Sequence, residues 1–185
     1  MRSLKKLTAM TLLTAMTITL VIPAAAPKVS AKTKTISVKT KDYNKAKSLK
    51  KGKNLVKYKK ANGYYKFTAP SAKTYKFVFS NVNALRKGDR RRNYVNGYMG
   101  FHRLDQYGYL TSEKVPTNGG TTYSLQIGSR KFVRSYNRYS TLPTVDRYRT
   151  SRYGKVYLNK GESIYISGFF AGVKKSNASF KVTVK

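Results

Sequence analysis

Tyr75-Lys76-Phe77-Val78-Phe79 places three large aromatic side chains at every second position, with Lys76 and Val78 between them. A two-residue period is the mark of a strand with one face in a core and the other in water. Ten residues upstream, Tyr65-Lys66-Phe67 repeats the pattern, and Ala69-Pro70-Ser71-Ala72 supplies the turn between the two runs, since proline cannot continue a central strand. Working outward, Ile36 and Val38 alternate weakly, Lys51-Gly52-Lys53 signals a turn, and Gly100-Phe101-His102-Arg103-Leu104 alternates again. Gly119-Gly120 reads as a hairpin turn. Towards the end, Lys155-Val156-Tyr157-Leu158 precedes an Asn159-Lys160-Gly161-Glu162 turn, Ser163-Ile164-Tyr165-Ile166-Ser167, a glycine-containing loop, and a strand over Ala178–Val184 with Phe180, Val182 and Val184 on one face. Beyond the first 31 residues no long stretch carries a 3.6-residue apolar period. Tyr, Thr, Val and Phe dominate, which suits sheet. The expectation is an all-β, antiparallel, jelly-roll-like β-sandwich.

The N-terminus has the three parts of a secretory signal: Arg2, Lys5 and Lys6, then an uncharged, Thr-diluted apolar run from Leu7 to Ile22, then small residues. Cleavage is expected after Ala31, with Ala26 as the alternative. The apolar run is short and polar for a spanning helix. The expected organisation is therefore a signal peptide over 1–31, a partly ordered Lys-rich arm over 32–61, and a sandwich over 62–185 with a basic, Arg/Tyr-rich middle segment at 86–153. Removing 31 of the 185 residues leaves 154, one domain's worth. A chain of that size buries enough surface to hold a core without staples. The sequence has no cysteine. That excludes a disulfide scaffold, a thiolate metal site and a cysteine nucleophile.

Two stretches resemble the bacterial pre-peptidase C-terminal domain, a small β-sandwich carried by many secreted proteins. At the start they are Gly63-Tyr64-Tyr65-Lys66-Phe67-Thr68-Ala69-Pro70 and Thr74-Tyr75-Lys76-Phe77; at the end, Leu158-Asn159-Lys160-Gly161-Glu162-Ser163-Ile164-Tyr165-Ile166 and Phe180-Lys181-Val182-Thr183-Val184. Ala72 stands where a glycine is common in the first hairpin of that family, and the segment from Arg86 to Tyr153 is longer and more basic than the family carries. The resemblance implies a sandwich with an accessory or binding role, and transfers no catalytic residue.

Charge is the dominant compositional feature: 39 Lys and Arg against six Asp and Glu give +33. The signal takes four of those positive charges (Arg2, Lys5, Lys6, Lys28) and leaves +29. An exported domain this basic collects on polyanions. The cations are also segregated. Lys32 to Leu85 holds fifteen Lys and no Arg, Gly154 to Lys185 six Lys and no Arg, and every Arg of the expected mature chain lies between Arg86 and Arg152. Nine of the sixteen Tyr fall between Arg86 and Tyr153. Guanidinium binds phosphate, sulfate or carboxylate through paired hydrogen bonds and stacks on aromatic faces, which an ammonium does not do. The candidate anion or glycan site is therefore Arg130, Arg134, Tyr136, Arg138, Tyr139, Arg147, Tyr148 and Arg149. The bland alternative is that these are solvent-facing strand and loop positions. The run Arg86-Lys87-Gly88-Asp89-Arg90-Arg91-Arg92 reads first as a solvated loop.

Enzymatic readings find little support. His102, the single histidine, has Asp105 and Ser112 nearby in sequence, but nothing places the three together as a triad requires. Asp105, Glu113, Asp146 and Glu162 are widely spaced for a glycosidase pair. One histidine without cysteine argues against zinc, dispersed acids argue against calcium, and no cofactor is expected. The expected function is a secreted, non-catalytic accessory protein that attaches to anionic polymers, teichoic acid or acidic glycans, at or near a bacterial cell wall. Nucleic acid is expected to bind through its charge alone. The alternative is a structural or protein-interaction accessory of the envelope whose charge only localises it.

Overall fold

The computed structural model describes residues 32–59, 63–85, 94–143, 147–171 and 177–185. The expected signal peptide and the Arg86–Arg92 run lie outside the described residues. What is described is an all-β sandwich of two sheets. The larger has seven strands in the order β1 (Lys34–Val38), β3 (Gly52–Tyr58), β13 (Ala178–Val184), β5 (Lys73–Ala84), β11 (Ser151–Leu158), β8 (Val115–Thr117) and β9 (Gly120–Thr122). The smaller runs β10 (Ser124–Gly128), β6 (Asn96–Leu104), β12 (Ser163–Ala171), β4 (Gly63–Thr68) and β2 (Lys47–Ser48), with β7 (Leu110–Glu113) paired to the far half of β6. Pairing is antiparallel except at two edges, where β1 joins β3 and β2 joins β4 in parallel. The chain crosses from one sheet to the other at each step from β3 to β6 and again from β10 to β13.

The alternating runs place their aromatic faces inward. Tyr75, Phe77 and Phe79 of β5 are fully buried, as are Phe180 and Val182 of β13, and Tyr65 and Phe67 of β4 lie opposite them. The rings interlock edge to face: Phe77 meets Phe101 at 5.5 Å and Phe67 at 5.6 Å, while Tyr58 stacks on Phe180 at 5.8 Å. Each large side chain taken from water contributes about 1.5–3 kcal/mol, and the edge-to-face geometry adds to it. The fully buried phenols keep their hydrogen bonds: Tyr58 Oη donates to the Gly63 carbonyl at 2.9 Å, Tyr75 Oη to the Ser71 carbonyl at 2.8 Å, and Tyr65 Oη contacts Met99 Sδ at 3.7 Å. Burial pushes the Tyr58 and Tyr65 phenols well above their ordinary pKa.

Three differences from the sequence reading have clear causes. The Lys-rich stretch from 34 to 58 is woven into both sheets, because Ile36, Val38, Leu49, Val56 and Tyr58 are all buried and its lysines point outward. The expected break after Ser167 is absent, and β12 runs on to Ala171. Gly168 pairs with Gly63 and Met99 within that strand, and glycine suits the position because a Cβ there would stand 2.7 Å from the Tyr58 hydroxyl. Finally, Arg130–Tyr139, read as strand or loop, is an α-helix, α1, inserted between β10 and β11.

Candidate functional site

α1 begins at Ser129, whose backbone N–H donates to the Val95 carbonyl at 2.8 Å and whose carbonyl accepts from Val133 N at 3.0 Å. The helix then packs one face on the sandwich through Phe132, which stacks on Tyr136 at 5.3 Å and meets Tyr148 edge-on at 4.9 Å. Tyr136 meets Tyr148 edge-on as well, at 5.0 Å. Asn137 Nδ2 donates to the Tyr148 carbonyl at 2.8 Å, and Asn96 Nδ2 donates to the Tyr148 hydroxyl at 3.2 Å. Glycine at 128 permits this seat, since a Cβ there would approach Phe132 Cδ1 to 2.9 Å.

With that face occupied, the opposite one is left to the cations. Arg130, Arg134 and Arg138 recur every four residues, and Lys131 stands beside the first of them, all exposed. Residues four apart lie on one helix face, so the three guanidinium groups form a row. No acidic residue lies in the helix, and among the described residues no carboxylate pairs with the row. Each like-charged pair at this spacing costs a helix about 0.2–0.5 kcal/mol. Arg130 also faces the positive end of the helix dipole. The aromatic seat on the sandwich holds α1 against this repulsion, and an anion on the row would relieve it. The row lines a concavity of about 480 Å³ together with Tyr94, Lys131, Ser135 and Tyr139.

The eight residues singled out in sequence thus fall into two groups. Arg130, Arg134, Arg138 and Tyr139 line the concavity. The other four do not. Tyr136 and Tyr148 belong to the aromatic seat. Arg147 Nε donates to the Leu142 carbonyl at 2.8 Å, and Arg149 exchanges backbone hydrogen bonds with Gly128 and Gln126, closing the free edge of β10. Tyr94, Lys131 and Ser135 were missed. The signal that would have found Lys131 and Ser135 is the four-residue spacing of the arginines, a helical period carried by charge instead of apolar residues.

Of the other candidates, Glu113 and Glu162 are brought together on Arg103, while His102 and Asp105 do not pair with each other. His102 sits half-buried on the outer face of β6, its Nε2 2.8 Å from Ser167 Oγ and its Nδ1 3.4 Å from Ser112 Oγ, and burial lowers its pKa. Asp105 faces away from it in function: one carboxylate oxygen accepts from the Tyr107 and Tyr109 N–H groups at 2.9 Å each, holding the turn after β6. Glu113 and Glu162 are both ion-paired to Arg103. Asp146 lies outside the described residues.

Among the described residues no helix is long and apolar enough to cross a membrane. No protein-family model matches the chain, and no curated protein is similar to it. Among solved structures, CorA of Methylomicrobium album BG8, described as a surface-associated copper-binding protein important in copper acquisition, is similar at a TM-score of 0.36 and 6% identity. The match covers 83% of this chain and 99% of that one.

Proposed function

We propose that this chain is a secreted, non-catalytic accessory protein of the pre-peptidase C-terminal kind, and that it binds anionic polymers of the cell envelope through the exposed face of α1. The observation that carries this reading is the row Arg130, Arg134 and Arg138 bordering a concavity with no carboxylate among the described residues that line it. Guanidinium groups in a row offer paired, charge-assisted hydrogen bonds to phosphate, sulfate or carboxylate. The lysines spread over the rest of the sandwich raise the encounter rate and the non-specific affinity, and salt screens that contribution. Tyr139 and Tyr94 at the rim give a sugar ring two flat faces to rest on.

The test compares two variants of equal net charge. Arg130→Gln/Arg134→Gln/Arg138→Gln removes the row, and Lys51→Gln/Lys160→Gln/Lys181→Gln removes three exposed lysines elsewhere. Binding to teichoic acid, sulfated and carboxylated glycans, neutral glycans and DNA is measured at low and high salt. The arginine variant is expected to lose roughly tenfold or more in affinity for its preferred polyanion, about 1.4 kcal/mol, and the lysine variant roughly twofold. Equal losses from both would mean that charge only localises the protein, and the reading of α1 would fall.

A further inference from the structure

The row on α1 has a period, and the surface beyond its N-terminal end changes character. An α-helix rises 1.5 Å per residue, so guanidinium groups four residues apart recur about every 6 Å along the axis. A linear polyanion pairs with all three only if its own charges recur at a similar interval. Denser charge leaves anions unpaired between the arginines, and sparser charge reaches at most two of them. Arg130 and Lys131 also line a second concavity, of about 630 Å³, on the other side of the helix start. Its remaining polar lining is Ser80, Asn81 and Asn83 of β5 with Ser129, Thr150 and Ser151. These are hydroxyls and carboxamides, with no aromatic face and no carboxylate among the described lining residues. Asn81 is held there with a positive φ of 55°, its carbonyl accepting from Asn83 Nδ2 at 2.9 Å. A ligand leaving the arginine row at Arg130 therefore meets neutral hydrogen-bonding groups.

Anions at regular intervals, joined by neutral hydroxylated units, describe one class of polymer. We infer that the ligand of α1 is a polyol phosphate chain, with successive phosphates on Arg138, Arg134 and Arg130 and the next hydroxylated unit in the second concavity. A three-carbon polyol spacer puts about six backbone bonds between phosphorus atoms. That equals two residues of polypeptide, hence at most roughly 7 Å when extended, which fits the row with slight relaxation. Single-stranded nucleic acid also has phosphodiesters, but its bases would find stacking faces only at Tyr94 and Tyr139 beside the row and none in the second concavity, where the chain continues. This inference rests on the reading of α1 as an anion site and adds the spacing and the spacer chemistry to it.

The experiment uses the purified protein and three probes of matched total charge: oligo(glycerol phosphate), inorganic polyphosphate and single-stranded DNA, each at about 0.15 M salt. Oligo(glycerol phosphate) is expected to bind roughly tenfold more tightly than polyphosphate. The uncharged double variant Thr150→Val/Ser151→Ala is expected to weaken oligo(glycerol phosphate) roughly fivefold and to leave polyphosphate unchanged. Equal binding of polyphosphate and oligo(glycerol phosphate), a double variant that affects both alike, or preference for DNA would overturn the inference. In each of those cases the anion site on α1 stands if the triple Gln variant of its arginines still loses binding. If that variant binds like the parent protein, the anion site falls as well, and the inference with it.

Discussion

Arg103 ends β6 between two carboxylates. It pairs with Glu113 on β7 and with Glu162 in the β11–β12 turn, and its Nη2 donates to the Tyr157 carbonyl at 2.7 Å. Arg130, Arg134 and Arg138 have the same side chain and no such company. Two of only six acids in the sequence are set against one arginine, and among the described residues none is set against the three on α1. The Arg103 cluster ties the end of the smaller sheet to β11 of the larger one. The α1 row ties nothing to anything. In a chain this basic, positive charge by itself marks no site; what distinguishes the two regions is whether the described residues supply a counter-charge.

That division is open to attack from several sides. The largest effect should come from Arg103→Met, which leaves two carboxylates facing each other without their cation. It is expected to cost about 2 kcal/mol, or a fall in melting temperature of about 4–8 °C, and to change polyanion affinity less than twofold. A loss of binding like that of the α1 variants would erase the distinction between the two regions. Phe132→Ala comes next. It keeps every charge but removes the ring that stacks on Tyr136 and abuts Tyr148. Its expected cost is about 1–2 kcal/mol at this half-buried position. Affinity for the preferred polyanion should drop roughly fivefold, because the row is no longer held in line. Unchanged binding with reduced stability would show that charge acts without the helix. The smallest effect concerns His102. Its folded pKa lies below its unfolded value of about 6.5, so the unfolded chain takes up the proton first. Stability should therefore be full above pH 7 and decline as the pH falls through that value. Melting curves at pH 7.5 and 5.5 should show a smaller difference in His102→Gln than in the parent protein, and an identical difference would place the acid sensitivity elsewhere.

The sequence disclosed those parts of the molecule whose physics is local. Tyr75–Phe79 and Phe180–Val184 announce themselves because a core-facing strand must alternate, and both are where the alternation puts them. α1 was illegible for the opposite reason. The side that packs on the sandwich carries only Phe132 and Val133, both half-buried, with Tyr136 against Phe132, too few to stand out as an apolar period, and four of its ten residues are cations that repel one another. Tertiary packing on β10 and Tyr148 decides its conformation, overriding weak local preference. The Arg/Lys segregation singled out a segment that holds Arg130, Arg134, Arg138 and Tyr139, which line one concavity. It also drew in Tyr136, Arg147, Tyr148 and Arg149, because composition does not distinguish a side chain that lines a cavity from one that braces the fold. The role of Arg103 was equally hidden, since its partners come from a strand and a turn about fifty residues apart in sequence.

The position of β13 has a consequence for how the protein comes into being. This strand, at the end of the chain, lies in the interior of the seven-stranded sheet, flanked by β3 and β5. Until residues 178–184 have been synthesised, both neighbours have an unpaired edge, and the crossing connections leave few contacts between residues close in sequence. Topologies of that kind form slowly and all at once. The two halves of the larger sheet, β1–β3 and β5–β11, are thus joined through a single strand that lies far from both in sequence, and the sheet is whole only once that strand is in place.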